Sequence, residues 1–333
     1  MSLSVIIINY RSAGLIIDCL ESARQFDNME AWQWIIVDNA SGDDSRQKIT
    51  TRFPRVQWID MGYNAGFARA NNAGIRAATG DTVLLLNPDT LIRDHAIEKC
   101  YQALTASGYV ACGVQLLNVD GSPQISGNFA MKGGLNYLLP LPFLGECFRQ
   151  IAFGVKLKKP SIQQATDIAE VDWVNGAFLM VKRTAIDKAG LLDEDFFLYS
   201  EEAEWCSRLR KTGKLCIYGN LNVIHLQGST ANETFGSQDH GYYNLYDRKG
   251  RQIMISNFVR IRKEFGLGWL FFMLAMYLAD IPVFGIGACI QAIAGRKNRY
   301  TFKQFRGFVN NMLFILGKTG TIVRNKPYFY KVL

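Results

Sequence analysis

Short apolar runs alternate with longer mixed stretches over the first 90 residues. The runs predict strands at Val5–Ile8, Trp34–Val37 and Thr82–Leu86. The stretches between them predict helices at Ser12–Gln25, Ser45–Phe53 and Phe67–Ala78. Runs with almost no polar residue are typical of parallel strands covered on both faces. The β-α-β-α-β order therefore predicts an α/β fold with an open sheet flanked by helices.

Polar residues stand where each of these strands ends. They are Asn9 and Tyr10, Asp38 and Asn39, and Asn87 and Asp89. Open α/β sheets bind their ligands at the carboxyl ends of the strands. We therefore expect these side chains to meet at one edge of the sheet and to form a site.

The middle of the chain is less regular. Glycines and prolines are spread through Asn128 to Pro160, which predicts a long loop that contacts an acceptor or a membrane. Order returns with a strand-like stretch over 171–183 and a helix that opens near Glu201.

The composition changes after residue 250. Residues 251–333 hold 13 Lys or Arg against Glu264 and Asp280, a net charge of +11, whereas residues 1–250 carry −3. We predict a catalytic domain over 1–250 and a helical, basic and apolar membrane-associating region over 251–333. Basic residues combined with this much aliphatic surface favour a membrane surface over nucleic acid as the partner.

Two apolar runs in this region, Leu267–Ala279 and Val283–Ile293, are separated by Asp280 and Pro282. Each is shorter than the roughly 20 residues that a membrane span needs. Together they are consistent with one kinked span, a re-entrant pair, helices in the interface or a soluble subdomain. Interfacial or re-entrant helices are the favoured prediction.

The seven cysteines are scattered without a CxxC or a zinc-type spacing, which predicts reduced, mostly buried thiols. The N-terminal segment lacks a cationic leader, so a cytoplasmic catalytic part is expected.

Asp38 and the GYNAGFARANNAG segment are the candidates for nucleotide binding. A carboxylate after a buried strand can accept a hydrogen bond from a base or a ribose, and the less favoured alternative is that Asp38 only caps the next helix. Asn64 and Asn71 flank a helix entry, where free N–H groups can meet a ribose or a phosphate.

Asn87, Pro88 and Asp89 are turn formers, so this stretch alone is equally compatible with a turn and a site. In the site interpretation Asp89 faces a divalent cation, Mg²⁺ or Mn²⁺, that neutralises a diphosphate leaving group. His225 follows another apolar run and is the candidate for a further ligand. His95 and His240 are not predicted to be ligands.

Three acids stand in the first turn of the helix that opens near Glu201, where the helix dipole favours them even without a catalytic role. Glu202 shares a helix face with Trp205 and Leu209, which points it inward and makes it the candidate general base. Glu204 and Arg208 have the spacing of a surface ion pair.

The motifs SVIIINY, IIVDNASGDDS, GYNAGFARANNAGI, LLLNPDT, VDWVNGAFLMVKR, FFLYSEEAEWCSRLRKTG and VIHLQGST resemble, in order, those of glycosyltransferase family 2. The closest likeness is to its bacterial rhamnosyltransferase-like branch, over residues 4 to about 230. The resemblance implies a GT-A fold with an open mixed sheet and inverting transfer from a nucleotide sugar. The members of that branch build O-antigen and related cell-surface polysaccharides.

The resemblance also implies roles for individual positions. Nucleotide contacts fall on Asn9, Tyr10, Asp38, Asn64, Asn71 and Asn87, and metal ligands on Asp89 and His225. Glu202 falls on the catalytic base, and the sugar and acceptor pocket on Asp172, Trp173, Gly176 and Glu201. The chain departs from the family at Asn87, where a strict DxD motif has an acid, and in its EE pair, where ED is usual.

The implied donor is dTDP-rhamnose, with UDP-hexoses as the alternative, and the implied acceptor is a lipid-linked saccharide. The expected location is the cytoplasmic face of the bacterial inner membrane, with peripheral or re-entrant attachment. A dehydrogenase or a nucleotidyltransferase is disfavoured because the first strand is followed by no glycine-rich phosphate loop. An inactive homologue that binds a glycan or acts as a scaffold is the remaining alternative.

Overall fold

The structure is a computed structural model, and it describes residues 2–154, 161–226, 232, 234–237, 244–293 and 300–333. His240 and the basic residues at 296, 297 and 299 lie outside these ranges. Two compact units are present. Unit 1 comprises Met1–Phe129, Ser161–Phe197 and Glu201–Thr230, and unit 2 comprises Ala130–Pro160, Leu198–Ser200 and Ala231–Leu333. The division into a catalytic domain over 1–250 and a membrane-associating region over 251–333 stays a prediction.

Unit 1 is built on a mixed sheet. Its strands are β1 (Leu3–Asn9), β2 (Gln33–Asp38), β3 (Gln57–Asp60), β4 (Thr82–Leu86), β5 (Thr90–Leu91), β6 (Ala111–Leu117), β9 (Ile168–Val171), β11 (Phe178–Lys182) and β12 (Leu215–His225). The order across the sheet is β3-β2-β1-β4-β11-β6-β12-β5, with β9 also paired to β12. β1, β2, β3 and β4 are mutually parallel, while β11 runs antiparallel to both of its neighbours. A smaller sheet joins β7 (Gly127–Asn128), β8 (Ser161–Ile162) and β10 (Trp173–Val174).

The helices of unit 1 connect these strands. They are α1 (Ala13–Phe26), α2 (Ser45–Arg52), α3 (Gly66–Ala77), α4 (Ala96–Ala106), α6 (Arg183–Ala189) and α7 (Glu201–Leu209), with a 3₁₀ turn at Met29–Ala31. The apolar runs of β1, β2 and β4 are buried throughout because helices cover the sheet, as the sequence predicts. The α/β fold with its β-α-β-α-β start is confirmed.

Three local predictions are wrong. β3 was not predicted because its four residues carry an exposed Gln57 and Asp60 and no apolar run. The predicted loop from Asn128 contains a 3₁₀ segment at Lys132–Leu138 and helix α5 (Leu144–Gly154). The strand predicted over 171–183 is interrupted between Val174 and Phe178, and its two parts belong to different sheets.

Unit 2 is helical in its described part. Besides α5 it contains α8 (Arg248–Phe265), α9 (Leu267–Ile293) and α10 (Phe302–Arg324), which pack on one another. The two apolar runs form the single helix α9 with Pro282 inside it, so the predicted re-entrant pair is wrong. α9 is long and apolar enough to cross a membrane, and about a third of it is buried within the protein.

α9 has two apolar faces. One is buried and includes Leu270, Met273, Tyr277, Phe284 and Ala288. The opposite face is exposed and includes Phe271, Phe272, Ile286, Ile290 and Ile293. The one charged residue of α9, Asp280, lies on the buried face without solvent exposure, and burial raises the pKa of its carboxyl to about 7.

Candidate active site

The parallel strands bring the predicted polar residues to one edge of the sheet. β1 pairs with β2 so that Asn9 lies opposite Asp38, and β1 pairs with β4 on its other side. Asn87 and Asp89 follow β4 directly. Because neighbouring strands are about 4.8 Å apart, Asp38 and the end of β4 are separated by roughly 10 Å across the edge.

Asp38 is the centre of a buried hydrogen-bond cluster. Its Oδ1 accepts from Asn9 Nδ2 at 2.7 Å and from Ser41 Oγ at 2.6 Å. Its Oδ2 accepts from the backbone N–H of Ser41 at 3.1 Å. The carboxylate therefore closes the turn after β2. It does not cap α2, whose cap residue is Asp44, so the alternative of a helix cap is wrong.

Asn9 and Asn71 are both enclosed. Asn9 is fully buried, with its amide donating to Asp38 and Ser41 and its Oδ1 accepting from Ser12. Asn71 is 1% exposed, and its Nδ2 donates to the carbonyl of Phe67 one helical turn earlier. Both side chains position the backbone around the edge and leave no exposed amide for a ligand.

Asn64 lies at the entry of α3, in a turn that Asn39 organises. Asn39 Oδ1 accepts from the N–H of Ala65 at 2.7 Å, and its Nδ2 donates to the carbonyl of Gly66. Gly66 has φ +72°, and a Cβ there would stand 2.1 Å from the carbonyl oxygen of Phe197. The carbonyl of Phe197 also accepts from the N–H of Phe67, which holds it in place. Because this carbonyl cannot move away from a Cβ, only glycine fits at position 66.

Asp89 and His225 meet although 135 positions separate them in the sequence. The two-residue strand β5 pairs with the end of β12, which places His225 opposite Thr90. The N–H of Leu226 also donates to the carbonyl of Asp89 at 2.9 Å. As a result His225 Nε2 lies 3.4 Å from Asp89 Oδ1, with both side chains buried.

Gln124 fixes the orientation of the imidazole. Its Nε2 donates to the carbonyl of His225 and to Asn118 Oδ1, both at 2.7 Å, so its Oε1 is the free acceptor. That oxygen lies 2.9 Å from His225 Nδ1. Nδ1 therefore carries the proton in the neutral ring, and the lone pair of Nε2 faces Asp89.

This arrangement fits a divalent cation. His225 Nε2 and Asp89 Oδ1 lie 3.4 Å apart, and a cation between them would satisfy both. The hydrogen bond from Nδ1 to an acceptor is the usual support of a metal-binding histidine. Asn87 lies at the same point, where its Nδ2 donates to His225 Nε2 at 3.4 Å, so a cation bound by that nitrogen would replace this hydrogen bond. Gln124 and Ser41 were not predicted from the sequence.

Glu202 lies beside the same strand ends. It is 8% exposed and shares the inner face of α7 with Trp205 and Leu209, as predicted. A Cβ on Gly176 would lie 3.5 Å from Glu202 Cγ, so Gly176 packs against the glutamate stem. The next residue, Ala177, accepts a hydrogen bond from the N–H of Asn87. Glu202, the general-base candidate, is therefore connected to the Asn87–Asp89 turn through the two adjacent residues Gly176 and Ala177.

The remaining predicted pocket residues lie near α7 or on β10. Asp172 forms an ion pair with Arg210 at 2.6 Å, and Trp173 is partly exposed on β10. Glu201 is 2% exposed at the start of α7. Glu204 and Arg208 are not a surface pair as predicted, because the glutamate side chain is only 11% exposed and accepts two guanidinium N–H groups.

A second group of potential metal ligands lies elsewhere in unit 1. Within the described ranges, Asp27, His95 and Glu98 form the one group of three whose ligand atoms all lie within 4.8 Å of one another. It does not include Asp89 or His225.

Comparison with known proteins shows which family the chain resembles. Residues 4–148 match the model of glycosyl transferase family 2. The chain is 29% identical over 229 residues to the low-salt glycan biosynthesis hexosyltransferase Agl10 of Haloferax volcanii, covering 68% of this chain and 64% of that protein. It is 28% identical over 207 residues to the N-acetylglucosaminyl-diphospho-decaprenol L-rhamnosyltransferase of Mycobacterium tuberculosis, covering 57% and 65%. The alignments thus span a little under two thirds of each relative. The resemblance to this family and to rhamnosyltransferases is confirmed.

A solved structure shows the same fold. The mannosyltransferase PcManGT from Pyrobaculum calidifontis, solved in complex with GDP-Man and Mn²⁺, superposes with a TM-score of 0.51 at 13% identity. The match covers 97% of this chain and 87% of that one. The predicted GT-A fold is confirmed.

Gly66 and Gly62 provide a matched test of the turn that precedes α3. Both have φ +72°, but a Cβ at Gly62 meets no atom within 4 Å. We expect Gly62→Ala to lower the free energy of unfolding by about 1–2 kcal/mol, the cost of the left-handed backbone alone. Gly66→Ala should cost at least about 3 kcal/mol because the clash with Phe197 is added. Urea denaturation followed by circular dichroism measures both, and equal losses would contradict the placement of Phe197 against α3.

Proposed function

Because residues 4–148 of this chain are a glycosyltransferase family 2 domain, we propose that it transfers a sugar from a nucleoside diphosphate donor to a saccharide hydroxyl with inversion. The observation that carries the proposal is the buried Asp89–His225 pair, whose carboxylate oxygen and imidazole nitrogen lie 3.4 Å apart at the sheet edge. Asp38 lies on one side of this pair, two strands away, and Glu202 is linked to it through Gly176 and Ala177.

Asp38 binds the base of the donor in this proposal. Its Oδ2 has one backbone partner and can accept a further hydrogen bond from a pyrimidine ring N–H. Tyr10 and Asn64 border the same edge and contact the nucleoside. Asn9 and Asn71, whose amides are already bonded, act as positioning residues.

Asp89 and His225 hold a divalent cation, with Asn87 beside them. The cation, Mg²⁺ or Mn²⁺, would neutralise charge on the diphosphate as the sugar leaves. The roughly 10 Å between Asp38 and the end of β4 matches the distance between the base and the diphosphate of a donor lying across the strand ends.

Glu202 is the general base. Its carboxylate takes the proton of the acceptor hydroxyl while that oxygen forms a bond to the anomeric carbon. The bond from the anomeric carbon to the diphosphate oxygen breaks on the opposite face, so the configuration inverts without a covalent intermediate. Asp172, Trp173, Gly176 and Glu201 line the sugar and acceptor side, where the partly exposed indole of Trp173 offers an apolar face to a sugar ring.

The donor proposed is dTDP-rhamnose and the acceptor a lipid-linked saccharide in O-antigen-like polysaccharide synthesis. The support is the relative from M. tuberculosis, whose name includes both an L-rhamnosyl group and a decaprenol-linked sugar. A UDP-hexose donor is the alternative, which the name of the Haloferax hexosyltransferase favours.

In this proposal unit 2 attaches the protein to the cytoplasmic face of the membrane without crossing the bilayer. The exposed face of α9 carries apolar residues along the whole helix, about 40 Å in length. The exposed face of α10 adds Phe302 and Leu313 together with the basic residues Lys303 and Arg306. Apolar residues beside cationic ones suit the interface of an anionic bilayer.

The donor is identified by thermal shift with dTDP-rhamnose, UDP-glucose, UDP-galactose and GDP-mannose, each with and without Mn²⁺. We expect the largest stabilisation with dTDP-rhamnose and Mn²⁺. A larger shift with a UDP-hexose would replace the donor and keep the enzyme class. Binding of glycan but of no nucleotide sugar would favour the inactive scaffold.

Glu202→Gln should retain donor binding and lose transfer by at least about 100-fold, because the amide cannot accept the proton. Binding is measured by calorimetry with dTDP, and transfer by release of dTDP from dTDP-rhamnose. Glu170→Gln is the control, since Glu170 is an exposed partner of Lys214 and should keep full activity. Turnover of Glu202→Gln near that of Glu170→Gln would remove Glu202 from the role.

Gln124→Ala should raise the Mn²⁺ concentration needed for half-maximal stabilisation by dTDP about ten- to a hundredfold, because His225 loses the acceptor that orients its ring. Asn118→Ala is the control, since it removes a neighbour of Gln124 that does not contact the imidazole. Equal Mn²⁺ requirements in the two variants would show that the orientation of His225 does not matter for the cation.

Replacing Phe271 and Phe272 together by Ser should weaken binding to phosphatidylglycerol vesicles at least tenfold, because two exposed aromatic side chains leave the interface. Val119→Ser is the control, because Val119 is 73% exposed but lies in unit 1. Alkaline carbonate should release the wild-type protein from membranes, and retention in the pellet would indicate a spanning α9.

A further inference from the structure

A cluster of three potential ligands lies where α1 ends and α4 begins. Asp27 is the residue after α1, His95 the residue before α4, and Glu98 stands in the first turn of α4. One ligand atom from each lies within 4.8 Å of the others. None of the three has a role in the transfer reaction proposed above.

Asp27 has a buried oxygen without a partner. The residue is 8% exposed, and its Oδ1 accepts from the backbone N–H of Glu98 at 3.0 Å. Its Oδ2 has less than 1 Å² of accessible surface and accepts no hydrogen bond from the residues that the structure describes. A buried carboxylate oxygen that nothing satisfies is uncommon, and it requires either a proton or a cation.

His95 and Glu98 complete the coordination and leave an entry path. His95 is exposed and Glu98 partly exposed, so a hydrated ion can reach both from solvent. His95 makes no capping bond to α4, because Asp27 already accepts from the helix N–H groups. An imidazole with two carboxylates suits Zn²⁺ or Mn²⁺ better than Ca²⁺. Ligand atoms of one Zn²⁺ lie up to roughly 4 Å apart, so small side-chain adjustments bring these three onto one ion.

We propose that Asp27, His95 and Glu98 form a divalent-cation site of the Zn²⁺ or Mn²⁺ class, separate from the pair at Asp89 and His225. A ligand at His95 could not be predicted from the sequence, because Asp27 is distant in the chain and reaches it only where the end of α1 meets the start of α4.

The site fastens the segment that leads away from Asp89. This segment already contacts α1 at two points, Cys19 Sγ to Thr90 Oγ1 at 3.5 Å and the N–H of Ile92 to Ser22 Oγ at 2.9 Å. Asp27, at the end of the same helix, already makes a third connection by accepting from the N–H of Glu98, and an ion held by Asp27 and His95 would strengthen it. The chain from Asp89 to α4 is then held along α1 from Cys19 to Asp27.

The test is calorimetry of Zn²⁺ binding to the full chain and to two double variants. His95→Gln with Glu98→Gln removes the proposed ligands at accessible positions and leaves Asp27 to accept from α4. Asp89→Asn with His225→Gln removes the other pair. We expect two Zn²⁺ per wild-type chain and a loss of one in each variant, with at least tenfold weaker binding at the altered site.

The outcomes separate this proposal from the proposed function. Zn²⁺ binding that is unchanged by His95→Gln with Glu98→Gln, or no Zn²⁺ binding by the wild type, overturns the new site. If the wild type binds a single Zn²⁺ and Asp89→Asn with His225→Gln still binds it, the new site is supported and the other pair does not bind Zn²⁺ on its own. As a second measurement, hydrogen exchange in the Asp89 and His225 double variant should slow at residues 92–98 when Zn²⁺ is added. Unchanged exchange there would contradict the fastening of this segment.

Discussion

The candidate site depends on the pairing of a very short strand with the end of a long one. β5 has only two residues, and it pairs with the last two residues of the eleven-residue β12. The register of β12 against β6 shifts between Tyr218 and Asn222, so the first half of β12 pairs with β9 and the last part reaches β5. Without this pairing the carboxylate of Asp89 and the imidazole of His225 would not lie next to each other.

Part of the site could be predicted from the sequence. Asp38 and Asp89 were predicted because each follows a buried apolar run, and strand ends in parallel sheets converge at one edge. Gln124 could not be predicted, because it lies outside any strand and meets His225 only through the bend of the chain between β6 and β7. Ser41 could not be predicted either, because it lies in a turn. Its contact with Asp38 and the shape of that turn depend on each other.

The fold was predictable where one physical rule dominates a segment. The strands β1, β2 and β4 each contain an unbroken apolar run, and nothing competes with the burial of these runs. Prediction was wrong where two rules conflict. Pro282 and Asp280 indicated a break between two helices, but packing on α8 and α10 keeps α9 continuous and buries the carboxyl of Asp280. Tertiary packing outweighs the local cost of a proline in the helix at this point.

The polar residues of the edge divide into two groups by what their atoms already bind. Asn9, Asn71 and Gln124 have their amides engaged within the protein, so they stabilise the turns without offering atoms to a ligand. Asp38, Asp89 and His225 keep lone pairs that face the edge. Asn87 belongs to neither group. Its Nδ2 makes only a long contact of 3.4 Å with His225 Nε2, and its neutral amide adds no charge to the edge.

That neutral residue changes the electrostatics of the pair. With Asn87 in place of an acid, one carboxylate and one neutral imidazole would leave half of the charge of a divalent cation uncompensated. The diphosphate of the proposed donor would supply the missing negative charge, so cation and donor would each strengthen the binding of the other. The proposed ion at this edge would therefore be held best with the donor present.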